Sequence, residues 1–98
     1  MTPEGRIVCH IKKTVTAAGG AVRKVSWEGR AGAPDLLIMI GGRHWFIECK
    51  APGESPRPSQ TREFSIMENV GGCCVEVIDS VDAFALWWSR VQQLQVLK

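Results

Sequence analysis

The sequence predicts an α/β fold in which a mixed central sheet is flanked by helices in the order αβββαβα. Three observations predict it. Two apolar runs lie on either side of Gly41-Gly42, as in a β-hairpin. Stretches with apolar residues at helical spacing lie before the hairpin, after it and at the end of the chain. Glycine and proline punctuate the joints between these segments, with no repeat, low-complexity tract or linker.

Thr2-Pro3-Glu4 has the form of a helix start, with Thr2 as N-cap, Pro3 at the first helical position and an acid in the first turn. Ile7, Val8, Ile11 and Val15 then recur at helical spacing until Gly19-Gly20. Glu4 stands seven residues before Ile11 and is expected to share that inward stripe. Ala21 to Glu28, with Val22, Val25 and Trp27, is expected to form a first strand, followed by a loop from Gly29 to Pro34. Asp35 to Ile40 reads as a short strand buried on both faces, and His44 to Lys50 as its antiparallel partner. After a Pro- and Gly-rich loop, Pro58-Ser59-Gln60 opens a second helix with Gln60, Phe64 and Met67 on one face. Gly71-Gly72 ends it. Cys73 to Ile78 is expected as a buried strand, and Asp79 or Ser80 as the cap of a last helix whose core side carries Phe84, Trp87, Trp88, Val91 and Leu94.

The chain has 98 residues, of which 45% are hydrophobic and 22% charged, as expected of one ordinary globular domain spanning 1–98. Its longest strongly apolar run, Leu36 to Ile40, is far too short to cross a bilayer, and Met1-Thr2-Pro3-Glu4 lacks the shape of a signal peptide. A cytoplasmic protein without a membrane partner is therefore expected. Cys9, Cys49 and the pair Cys73-Cys74 have no CxxC spacing and read as small core residues, and His10 and His44 form no zinc pattern. A thiol-based redox or metal-storage role for Cys73-Cys74 is disfavoured, because neighbours in a strand point to opposite faces. Charge is unevenly spread. Residues 1–62 hold ten Lys and Arg against five acids, and residues 63–98 hold two against five. The basic first part suits a phosphate-bearing partner.

The chemistry is concentrated around the hairpin. Asp35 stands six residues before Gly41 and Glu48 six after Gly42, so a regular hairpin sets them opposite each other, with Cβ atoms ~5 Å apart. Two carboxylates that close repel unless a cation sits between them. Glu48 and Lys50 share a face, while the Cys49 side chain points to the other and its backbone carbonyl remains able to bind metal. Hard oxygen ligands favour Mg²⁺, with Mn²⁺ able to substitute. Asp35 and Glu48 are then the metal-holding acids, and Lys50 orients the attacking water and offsets charge on phosphorus. Arg30, Arg57, Arg62 and Lys24 are the candidate phosphate contacts.

Gly32-Ala33-Pro34-Asp35, Phe46-Ile47-Glu48-Cys49-Lys50 and Ser59-Gln60 together resemble the PD-(D/E)XK nuclease superfamily, and closely its virus-type replication-repair nuclease (VRR-Nuc) family. The likeness covers almost the whole chain. It departs at Ala33, where such sequences often carry a larger aliphatic residue. The resemblance implies a restriction-endonuclease-like fold and a metal-dependent endodeoxyribonuclease. It also implies that Glu4, directly or through water, completes the metal site and that Gln60 supports it. Free-standing domains of this size resemble phage proteins that act as homodimeric Holliday-junction resolvases, which would place this chain in a host cytoplasm. A two-fold dimer also matches the two symmetric strands of a four-way junction. The alternatives are a repair nuclease acting on flaps, overhangs or duplex DNA, and a non-catalytic nucleic-acid-binding module on the same fold.

Overall fold

The computed structural model describes residues 1–96. The elements follow the order α1 (Pro3–Ala17), β1 (Ala21–Lys24), β2 (Leu36–Ile40), β3 (Arg43–Cys49), α2 (Pro58–Asn69), β4 (Val75–Ile78) and α3 (Val81–Val96). The expected fold class is thus the one observed. The strands form one sheet in the order β1-β2-β3-β4, antiparallel from β1 to β3 and parallel between β3 and β4. Parallel pairing at β4 requires a crossover, and α2 supplies it.

Helix α1 starts where the Thr2 hydroxyl accepts the Gly5 N–H at 3.0 Å, and it buries Ile7, Ile11 and Val15. Helix α3 starts where the Ser80 hydroxyl accepts the Ala83 N–H at 2.9 Å, which settles the cap in favour of Ser80. These two helices pack on one face of the sheet, against Leu36, Ile38, Trp45, Ile47, Cys49 and Ile78. Phe84 and Trp87 anchor α3 there; the Trp45 and Trp87 rings meet edge to face at 5.7 Å, and Trp88 stacks on Phe84 at 5.8 Å. Helix α2 contributes Phe64 and Met67, which lie outside that cluster, and its Gln60 reaches Glu48 on the opposite face.

Several expectations are corrected. Strand β1 ends at Lys24, because Val25 makes only one further bond, from its N–H to the Asp35 carbonyl at 2.9 Å, before the chain leaves the sheet. Strand β2 is fully buried on one face only, since Leu37 and Met39 are half-covered where α2 does not reach. Cys73 and Cys74 precede β4 rather than open it, and of the four cysteines only Cys49 is buried. Leu94 is 40% exposed, a turn beyond the reach of the sheet, so the core stripe of α3 stops at Val91.

Three glycines shape the site. Gly41 and Gly42 have φ of 61° and 78°, the left-handed pair that a two-residue hairpin turn requires. Gly32, with φ of 99°, brings the loop before β2 against α2; a Cβ there would lie 2.6 Å from the Ser59 carbonyl oxygen and 3.0 Å from the Glu63 Cβ. Gly32→Ala is therefore expected to destabilise the fold by about 1–3 kcal/mol, through strain at positive φ together with a clash against backbone. A thermal melt matching wild type would refute this packing.

Candidate active site

The hairpin register pairs Leu36 with Ile47 and Ile40 with Arg43, which extrapolates to Asp35 opposite Glu48. The ladder itself stops one step short. The Asp35 N–H donates to the Ile47 carbonyl at 3.0 Å, and its Oδ2 accepts the Cys49 N–H at 2.8 Å. The Asp35 carboxylate thus replaces a backbone partner at the end of β3, which fixes it over the Glu48-Cys49-Lys50 segment. Pro34, fully buried ahead of it, fixes its own φ and disfavours helical backbone at Ala33, which restricts the approach to β2.

Glu48 is 2% exposed and lies on the α2 face of β3. Its Oε2 accepts from the Gln60 Nε2 at 2.7 Å and lies 3.2 Å from the Lys50 ammonium. Among the described residues, its Oε1 is buried with no hydrogen-bond partner. A buried carboxylate oxygen left unpaired is costly, and its desolvation calls for a cation. The Glu48 carboxyl is pushed above its ordinary range, first by burial and then by the Asp35 charge, against the opposing pull of Lys50 and Gln60. The two acids therefore stand close enough to sense each other, as a shared cation site requires.

Gln60 is oriented from both ends. Its Oε1 accepts the Arg57 N–H at 3.0 Å at the first turn of α2, which leaves Nε2 to donate to Glu48. Gln60→Leu is expected to weaken divalent-metal affinity or activity about 10–100-fold, as for other residues that orient a ligand. Calorimetric titration with Mn²⁺ checks it, and wild-type affinity would remove Gln60 from the site.

The Cys49 thiol is pushed up to about 12, by burial first and then by the charges of Asp35, Glu48 and Glu4. It is no nucleophile at neutral pH, and it belongs to the core. Glu4 itself is exposed in the first turn of α1. It is near enough to act on the Cys49 thiol, but it does not join Asp35 and Glu48 as a third carboxylate: among the described residues no three His, Cys, Asp or Glu side chains converge as a metal cluster. The basic candidates divide. All four are exposed, but Arg30 alone of them is bound to an acid among the described residues, through Nε to Glu63 at 2.9 Å. Glu63 was absent from the candidates read in the sequence. Its signal was there, three residues after Gln60 and next to Phe64 on the inward side of the same helix.

No family model matches the chain. It is 40% identical over 80 residues to "Putative nuclease p44" of Acyrthosiphon pisum secondary endosymbiont phage 1, an alignment covering 81% of this chain and 85% of that one. A solved structure described as a VRR_NUC domain superposes with a TM-score of 0.77 at 42% identity, covering 84% of this chain and 89% of the other. The chain belongs to the VRR-Nuc family. It is a nuclease of the VRR-Nuc type, and the hairpin turn brings the buried, ion-paired Glu48 and Lys50 beside Asp35.

Proposed function

We propose that the chain hydrolyses phosphodiester bonds in DNA as a Mg²⁺-dependent endonuclease, with Mn²⁺ able to substitute. Asp35, Glu48 through Oε1 and the Cys49 backbone carbonyl would hold the ion, and exposed Glu4 would reach it through water. When bound, such an ion supplies Lewis-acid stabilisation of the phosphoryl oxygens and makes hydroxide available near neutral pH. The remaining work belongs to the chain. Lys50 holds the attacking water and offsets negative charge that grows on the phosphorus substituents. Gln60 keeps the Glu48 carboxylate turned so that Oε1 stays free, and Asp35 is held in place by the Cys49 N–H. Arg57, Arg62, Lys24 and Arg30 are the candidates for guiding the DNA backbone.

The observation that carries this proposal is the buried, partnerless Glu48 Oε1 beside a second acid. A scaffold retained only for binding would have no use for a buried Glu48–Lys50 pair and an uncompensated oxygen, which cost stability.

For substrate, we propose four-way DNA junctions cut by a homodimer, one site on each of two symmetric strands. Support comes from symmetry: a chain with one set of ExK residues makes paired cuts most simply as a two-fold dimer. The test is incubation of labelled four-way junction, splayed arm and plain duplex with Mg²⁺ or EDTA, alongside light scattering. Paired symmetric nicks in Mg²⁺ from a dimer support it. A monomer active only on flaps or duplex would make the chain a repair-type nuclease instead, and binding without cleavage in any metal would leave a nucleic-acid-binding module.

A further inference from the structure

We propose that Arg30 contacts a backbone phosphate next to the scissile one and that Glu63, buried in α2, is the positioning residue that holds it there. The proposal rests on the placement of the active site around Asp35, Glu48 and Lys50.

Arg30 lies in the loop between β1 and β2, whose far end is Pro34-Asp35. Loops of this kind are ordinarily mobile, and a mobile arginine guides DNA only loosely. Here the loop is fastened to α2 twice. Gly32 approaches so closely that only a hydrogen fits between it and the Ser59 carbonyl and Glu63 Cβ. Two residues earlier, the Arg30 guanidinium pairs with the Glu63 carboxylate at 2.9 Å. Glu63 is one helical turn from Gln60, the residue that grips Glu48 at 2.7 Å. One rigid helix therefore carries both the group that orients the metal-holding acid and the group that orients the arginine.

The exposures of the pair are unequal in an informative way. The Glu63 side chain is 9% accessible and the Arg30 side chain 59%. A pair made solely for packing would bury its arginine stem as well, since long side chains cover apolar surface. Instead the carboxylate is sunk into the protein, and the guanidinium that pairs with it through Nε sits on a largely exposed side chain. Arginine presents a planar fork suited to phosphate oxygens, and a carboxylate on its back edge fixes the direction of that fork.

The test separates positioning from charge. Simple electrostatics says that Glu63→Gln, which removes a negative charge near the DNA, tightens binding. Positioning says the opposite: KM for the preferred DNA substrate rises about 5–10-fold while kcat stays within twofold, with the thermal midpoint recorded alongside. The double variant R30Q/E63Q leaves no buried charge unpaired, so it remains folded. In EDTA, its log Kd against log salt is expected to lose about 0.9 of slope, one phosphate contact. An E63Q enzyme with unchanged or lower KM, or a double variant with the wild-type salt slope, overturns the proposal. Asp35→Asn, assayed in parallel, keeps the two ideas apart. An inactive Asp35→Asn beside an unchanged salt slope removes the Arg30 contact alone. An active one beside a reduced slope leaves the contact standing and removes the site assignment.

Discussion

Replacing Lys50 by Met is expected to lower kcat by about 10²–10³-fold, the usual cost of deleting a group that stabilises transition-state charge. DNA binding in EDTA should stay within a few-fold of wild type, because the Lys50 side chain is only 10% accessible and adds little to the outer phosphate-binding surface. Methionine fills a similar volume, so the space beside Glu48 is not emptied. The electrostatic consequence is separate. Glu48 loses both the ammonium charge and the donor that now lower its pKa, so its carboxyl is pushed further up. Breaking a buried pair in this way is expected to cost about 3–5 kcal/mol near neutral pH, partly recovered in acid as Glu48 takes up a proton. Thermal melts at two pH values measure it. A K50M enzyme that cuts at the wild-type rate would take Lys50 out of the chemistry.

The second large effect concerns metal and pH together. The Glu48 carboxyl titrates above the ordinary glutamate value in the folded chain, because burial and Asp35 both oppose its charge. A raised folded pKa contributes stability that is fully present below the unfolded pKa and is lost as pH rises through the folded one. Without a divalent ion, then, this site weakens the fold as Glu48 ionises. A bound ion takes the place of the proton, since its ligands must be deprotonated. Saturating Mg²⁺ or Mn²⁺ is expected to leave the melting temperature almost unchanged near pH 4 and to raise it progressively toward pH 8. Glu48→Gln should abolish the metal-induced rise. Asp35→Asn removes the one charge that opposes Glu48 ionisation, and one ligand, so its apo protein should depend less on pH and gain little from metal. An equal metal-induced rise at both ends of the pH range would contradict this account of Glu48.

Much of the site was legible before the structure because hairpin geometry is local. A two-residue glycine turn fixes register, and register decides which residue of each strand lies opposite which. Asp35 and Glu48 followed from counting outward from Gly41-Gly42, and the pairs from Leu36–Ile47 to Ile40–Arg43 keep that count. What counting could not supply is the step at Asp35, where the carboxylate takes the Cys49 N–H in place of a regular rung. Burial was also legible only in part. The spacing of Ile7, Ile11 and Val15 set the core face of α1, yet Glu4 on the same stripe ends in solvent at the first turn of the helix. Leu94 fails likewise at the far end of α3. The Arg30–Glu63 pair was invisible because its partners are 33 residues apart and meet only once a loop closes on α2. No local period encodes such a contact.

Metal-dependent cleavage at this site depends on one arrangement, in which the Asp35 carboxylate and the free oxygen of Glu48 face a common cation. Anomalous diffraction from crystals soaked in Mn²⁺ tests it most directly. The expected result is a peak within bonding distance of an Asp35 oxygen, Glu48 Oε1 and the Cys49 carbonyl. Crystals with no ion between the two acids at saturating Mn²⁺, or with the ion held elsewhere, would contradict it.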